Sequence, residues 1–208
     1  MAVITIARQR SSGSYVIARR LAEQVGYAFV DQRSMDRALD LAVLNDDWDE
    51  RVNQPRGVDD LVVAATREVV AELRRVPGTA AYARLLRLFV NTVAAADHAV
   101  ILRRGANFIL TGRPGALRVY VHSSIERRIV RLAVRSQFRP ARAADIVASE
   151  DRLREYFIRQ TFQRDWSDAT AYDLSIDTDE TPAPVAVGAI VARVMALPGS
   201  VAPISSSV

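Results

Sequence analysis

The opening stretch "AVITIARQRSSGSYVIARRLAEQVG" (Ala2 to Gly26) most constrains what this chain can become. Ala2 to Ala7 form a short apolar run of strand character. Ile17, Ala18, Leu21, Ala22 and Val25 then recur at helical spacing, and Gly26 closes the helix. A loop of small and basic residues joins the two. A strand that passes through such a loop into a helix brings the unbonded N–H groups of the helix N-terminus to the strand end, where anions are held.

The rest of the chain continues the pattern. "YAFVD", "HAVILRRG", "LRVYVH" and "YDLSID" are strand candidates. The second is almost continuously apolar before its arginines, as a strand buried on both faces should be. Helical stretches are expected over Ser34–Leu44, Val58–Val76, Ala80–Ala96, Ala141–Phe162 and "APVAVGAIVARVMA", with "ANFILTGRPGA" as a turn-rich link. Ser123 and Glu126 fit a capping box opening a further helix at "SSIERRIVRLAV". Strands separated by helices indicate an α/β fold with a mainly parallel sheet. At 208 residues the chain holds one sizeable core.

Set against GxxxxGK[ST], the loop is degenerate. Gly13 takes the second glycine, Ser14 stands where lysine would be, and Tyr15 follows. There is no lysine in the chain at all: the 28 basic residues are all arginine, and the sequence pI is about 9.9. Any cation that meets a phosphate here is therefore a guanidinium, a helix N-terminus or a bound metal. The absence of cysteine excludes disulfides, thiolate catalysis and sulfur-ligated zinc, and His98 and His122 are too far apart in sequence to suggest a metal pair. Both histidines are read as structural, Trp166 and Tyr172 as packing residues, and no residue is assigned as a metal ligand. No apolar run reaches the roughly 20 residues of a membrane span, and no signal-peptide pattern opens the chain, so a cytoplasmic protein is expected.

Three stretches together resemble the cytidylate-kinase-like family. Ala7 to Ser14 stand in the places of its S-R-E-Y-G-S-G-G loop. "AVILRRGANFIL" is similar to its V-I-V-G-R-G-A-N-x-I-L, and "ASEDRLREYFIRQTFQRDWSDATAYDLSIDT" to its D-x-x-R, D-W-S-D and Y-D-L-x-x-N-T signatures. The resemblance implies a three-layer, P-loop NTPase-like parallel sheet over residues 1–198. It also implies a helical insertion for the nucleoside monophosphate over 33–96, a lid-like region over 138–169 and a flexible tail over 199–208.

The activity implied is ATP-dependent phosphorylation of CMP or dCMP, with ATP and Mg2+ as cofactors. By the same resemblance Arg8, Arg10, Ser11, Ser12, Gly13 and Ser14 would surround the donor phosphates. Asp31, Arg37 and Arg104 would meet the acceptor, and Arg152 and Arg159, two helical turns apart, would close over both. The chain departs from the family pattern at Ser11 and Ser14, where loop glycines are lost, at Arg103, which replaces a glycine, and at Val16. A second reading is therefore a nucleotide-binding sensor or partner protein that has lost turnover. A third, an arginine-rich nucleic-acid binder, rests on the high pI alone and is weakened by acidic residues scattered among the arginines. Homodimer formation is left open.

Overall fold

The computed structural model describes residues 2–34, 79–102 and 105–197. Its elements are β1 (Val3–Arg8), α1 (Ser14–Val25), β2 (Ala28–Val30), α2 (Thr79–Ala95), β3 (Ala99–Ile101), α3 (Ala106–Ile109), β4 (Ala116–His122), α4 (Ile125–Ser136), α5 (Pro140–Phe162), β5 (Leu174–Asp177) and α6 (Ala183–Met195). The five strands form one sheet in the order β2-β3-β1-β4-β5, and every pairing is parallel. The expected α/β fold with a parallel sheet is thus present.

Period-two alternation on β1 sorts its side chains onto two covered faces. Ala2, Ile4 and Ile6 pack with Ile17, Leu21 and Ala22 of α1 and with Val187 and Ile190 of α6. Val3 packs on the opposite face with Leu86, Phe89 and Val90 of α2 and with Ile101 of β3. Both faces of β1 are therefore dry, and its backbone polar groups are taken up by β3 on one side and β4 on the other. This leaves its carboxyl end, Ala7 and Arg8, as the place where the chain can meet a ligand, at the sheet position from which successive crossovers depart in opposite directions.

The expected periodicities hold for α1, whose buried residues include Ile17, Ala18, Leu21, Ala22 and Val25. Two local expectations are corrected. The link after β3 is not all turn, because Ala106–Ile109 form the short helix α3 behind Gly105. The helix after β4 is capped by Ser124, whose side chain accepts from Arg127 N, and not by Ser123. Ser123 Oγ donates instead to Asp179 Oδ1 at 2.5 Å, a partner brought in from beyond β5. The proposed helices Ser34–Leu44 and Val58–Val76 lie largely or wholly outside the described residues. So do Arg37, Arg103, Arg104 and the tail. Among the described residues no helix is long and apolar enough to cross a membrane.

Candidate functional site at the carboxyl edge of the sheet

The loop between β1 and α1 is shaped by two left-handed residues, Ser11 at φ 60° and Gly13 at φ 81°. Gly13 stands at the N-cap of α1, where no side chain caps the helix. The first helical bonds run from Val16 N and Ile17 N back to Gly13 O. The earlier N–H groups of the helix thus have no intrahelical acceptor and, with the helix dipole, present positive potential to the loop.

The loop is held from behind. Ser12 Oγ donates to Gln9 O at 3.0 Å, and Gln9 Oε1 accepts from Ser123 N at 3.0 Å. Thr178 Oγ1 donates to Ser12 O at 2.8 Å, while Arg131 bonds Thr178 Oγ1 (3.0 Å), Thr178 O (2.8 Å) and Ser123 Oγ (3.1 Å). Asp179 completes the clamp, accepting from Ser123 Oγ and Ser124 N. Those donors and the nearby Arg131 hold its carboxyl down at about 2, against an ordinary 3.8. Two buried polar atoms of the loop remain without a hydrogen-bond partner, Arg10 Nε and Ser11 Oγ. They are what an incoming oxyanion would satisfy.

Arg10 reaches across the crevice to α5, where its Nη1 lies 2.8 Å from Glu150 Oε1. The same helix carries a buried charge cluster. Arg128 of α4, 4% exposed, donates to Asp151 Oδ2 at 2.7 Å, and Arg154 lies 4.0 Å from Asp151 Oδ1. Arg154 is itself only 7% exposed, and its guanidinium sits 5.3 Å from the centre of the Trp166 ring.

Beside the loop opens a cavity of about 240 Å³, lined by residues from Ala7, Arg8 and Gln32 through Leu102 and Asn107 to Arg154, Trp166 and Tyr172. Its aromatic wall is ordered. Tyr172 stacks on Tyr120 at 4.8 Å and 16°, Trp166 meets Tyr120 edge-on, and the Tyr172 hydroxyl donates to Trp166 O at 2.6 Å. Burial raises the Tyr120 hydroxyl to about 12, opposed by the Arg154 and Arg128 charges. Burial, reinforced by Tyr120, raises Tyr172 as well, while Arg154 and the neighbouring Asn107 amide pull the other way. Both phenols therefore stay neutral donors through the neutral range.

Of the residues singled out in the sequence, Arg8 lines the cavity, and Arg10, Ser11, Ser12, Gly13 and Ser14 form the adjoining loop and helix start. Asp31 caps the turn that follows β2: its Oδ1 accepts from Ser34 N at 3.1 Å. Arg152 is exposed, and Arg159 is exposed and paired with Glu155 at 2.8 Å, so neither lines the cavity. Trp166 and Tyr172 do pack, as read, but they also face the cavity. His98 packs edge-on against Tyr27, and His122 Nε2 lies 3.0 Å from Ser175 Oγ, both at structural positions. Asn107 and Arg154 have no role assigned from the sequence, although Asn107 stands in the "RGAN" stretch and Arg154 is the arginine of the D-x-x-R match that begins at Asp151. Arg154 had a legible signal, because it shares the Ala143, Val147, Ile158 stripe at helical spacing.

The model of the Cytidylate kinase-like family matches residues 3–180. No curated protein matches the chain. Among solved structures, an uncharacterized protein from Eubacterium ventriosum is similar at a TM-score of 0.69 and 17% identity, covering 94% of this chain and 99% of that one. Shikimate kinase from Bacteroides thetaiotaomicron is similar at a TM-score of 0.52 and 16% identity, covering 93% of this chain and 98% of its own. A gluconokinase from Sinorhizobium meliloti follows at 0.50 and 15%, covering 93% and 91%. At these identities the likeness shows the fold alone, that of the P-loop kinases.

Proposed function

The chain belongs to the cytidylate kinase-like family, and from that premise we propose that it transfers the terminal phosphoryl group of ATP to a nucleoside monophosphate, CMP or dCMP. The observation that carries this reading is the pair of unpartnered buried atoms, Arg10 Nε and Ser11 Oγ, at an uncapped helix N-terminus beside an arginine-lined cavity. In this reading an oxygen of the acceptor phosphate attacks the γ-phosphorus in line, the bond to the β-phosphate oxygen breaks, and ADP leaves. The protein's part is positioning and charge. Arg8, Arg10, Ser11, Gly13 and Ser14 hold the donor phosphates. Ser12, whose hydroxyl is taken by Gln9 O, contributes through its backbone. Asp31, Arg37 and Arg104 belong to the acceptor side, and Arg152 and Arg159 are lid cations that engage when α5 closes, Arg159 leaving Glu155 to do so.

Of the Ser12 and Ser14 hydroxyls, that of Ser14 is the one left to reach a magnesium ion. The position after the missing lysine is Tyr15, Ser12 Oγ is engaged, and no cluster of three or more His, Asp or Glu suited to a metal exists among the described residues. Guanidinium groups would carry most of the charge on the protein side, with any ion held by phosphate oxygens and water. The same departures favour a second reading, a nucleotide-binding protein without turnover.

Coupled ADP release with a panel of monophosphates, with and without magnesium, separates the two. Turnover on one acceptor supports the kinase; ligand-induced melting shifts with no turnover on any acceptor leave the binding role.

A further inference from the structure

Inside the cavity one buried donor makes no well-formed hydrogen bond. Asn107 is 1% exposed and lines the wall, and its Nδ2 has no hydrogen-bond partner of ordinary geometry among the described residues. The Tyr172 hydroxyl beside it gives its own proton to Trp166 O and turns a lone pair toward the Asn107 amide, which pulls the Tyr172 pKa down, so a ligand acceptor competes with that one weak contact. A buried amide donor left unsatisfied is costly, and each such group in a native structure calls for an explanation; here its place in a cavity wall points to a bound partner. The surroundings specify the ligand's shape. Phe108, Trp166 and Tyr172 offer aromatic surface, Leu102 and Ile158 aliphatic surface, and the Arg154 guanidinium adds a cation beside the Trp166 ring. The volume of about 240 Å³ falls below the roughly 300 Å³ at which pockets begin to hold a whole drug-sized ligand, so the cavity suits one ring with its substituents.

We infer that this cavity receives the planar base of the acceptor nucleotide, and that Asn107 Nδ2 donates to an acceptor atom on that ring, a carbonyl oxygen or an unprotonated ring nitrogen. Asn107 is then a specificity-determining residue. The assignment rests on the kinase reading for the identity of the ligand, but its test needs no turnover. A site built around a polar group rejects ligands that leave the group unpaired far more strongly than it rejects a change of size.

The experiment compares dissociation constants of CMP and of ribose 5-phosphate, which lacks the base, for the wild-type chain and for Asn107→Leu. Leucine keeps the branched side-chain skeleton, at greater bulk, and removes the donor. The wild type should bind CMP at least tenfold more tightly than ribose 5-phosphate. In Asn107→Leu that preference should fall tenfold or more while ribose 5-phosphate binding stays the same. Asn107→Asp, which presents an acceptor in the same place, should lose the preference as well.

Unchanged preference in Asn107→Leu, or equal loss for both ligands, overturns the inference. So does a wild type that binds CMP no better than ribose 5-phosphate. Each of these leaves the kinase reading to be decided by ADP release alone.

Discussion

Gly105→Ala tests whether the wall of the cavity is set by close packing. Gly105 has φ +83°, and a Cβ placed there would lie 2.5 Å from Phe162 Cε2 and 2.7 Å from Cζ. Phe162 is not at liberty to yield: its ring stacks on Phe108 at 5.4 Å, meets Phe157 edge-on at 6.2 Å and carries the Arg87 guanidinium at 5.1 Å. Reaching ordinary carbon–carbon contact requires the ring to move by about 1 Å. Holding alanine in the left-handed region costs about 1–2 kcal/mol, and forced repacking of a filled site adds about 1–3 kcal/mol. The total is roughly 2–5 kcal/mol, and about 3 kcal/mol corresponds to a fall in Tm of about 6–12 °C for a domain of this size.

Gly13 supplies the comparison. It has a similar φ of +81°, but nothing lies within 4 Å of its Cβ position, so Gly13→Ala should show only the backbone part, about 1–2 kcal/mol. Urea denaturation of Gly105→Ala in the wild-type and Phe162→Leu backgrounds separates the two terms. If the alanine costs the same in both backgrounds to within about 0.5 kcal/mol, the contact with Phe162 is not what excludes a side chain at Gly105, and the reasoning fails.

Three further outcomes are expected. Asp151→Ala should destabilise the chain by roughly 3 kcal/mol in denaturant titration, because it leaves the buried Arg128 charge without its carboxylate. Thr178→Val removes the donor to Ser12 O and should lower stability by about 1 kcal/mol. In the proposed function it should also raise the KM for ATP more than it lowers kcat, which steady-state kinetics would measure. Asp179 has a folded-state pKa of about 2 against 3.8 unfolded, so its contribution is complete above 3.8 and is lost as pH falls from there toward 2. The stability gap between wild type and Asp179→Asn, followed by thermal melts, should therefore stay level from about pH 7 to 5 and shrink below about pH 4.

Local pattern was enough for the frame of this protein. The apolar run of β1, the helical repeat of Ile17, Leu21 and Val25 and the almost wholly apolar "HAVILRRG" specify strand, loop, helix and a parallel sheet, because backbone conformation and burial of a face follow from neighbours a few positions away. The loop of Arg10, Ser11 and Gly13 was legible for the same reason, as were the three motifs that place the chain in its family.

Which arginine of α5 looks inward was decided by tertiary structure. Packing of Leu132 against Ala143 and Val147 fixes how α5 is rotated about its axis, and that rotation buries Arg154 while Arg152 and Arg159 face out. The serine that caps α4 and the serine that bonds Asp179 are likewise adjacent in sequence, and only the arrival of Asp179 after β5 divides their tasks. The Asn107 donor without a well-formed hydrogen bond belongs to the same class. Whether a buried amide is satisfied depends on groups distant in the chain, and no periodicity encodes where those groups arrive.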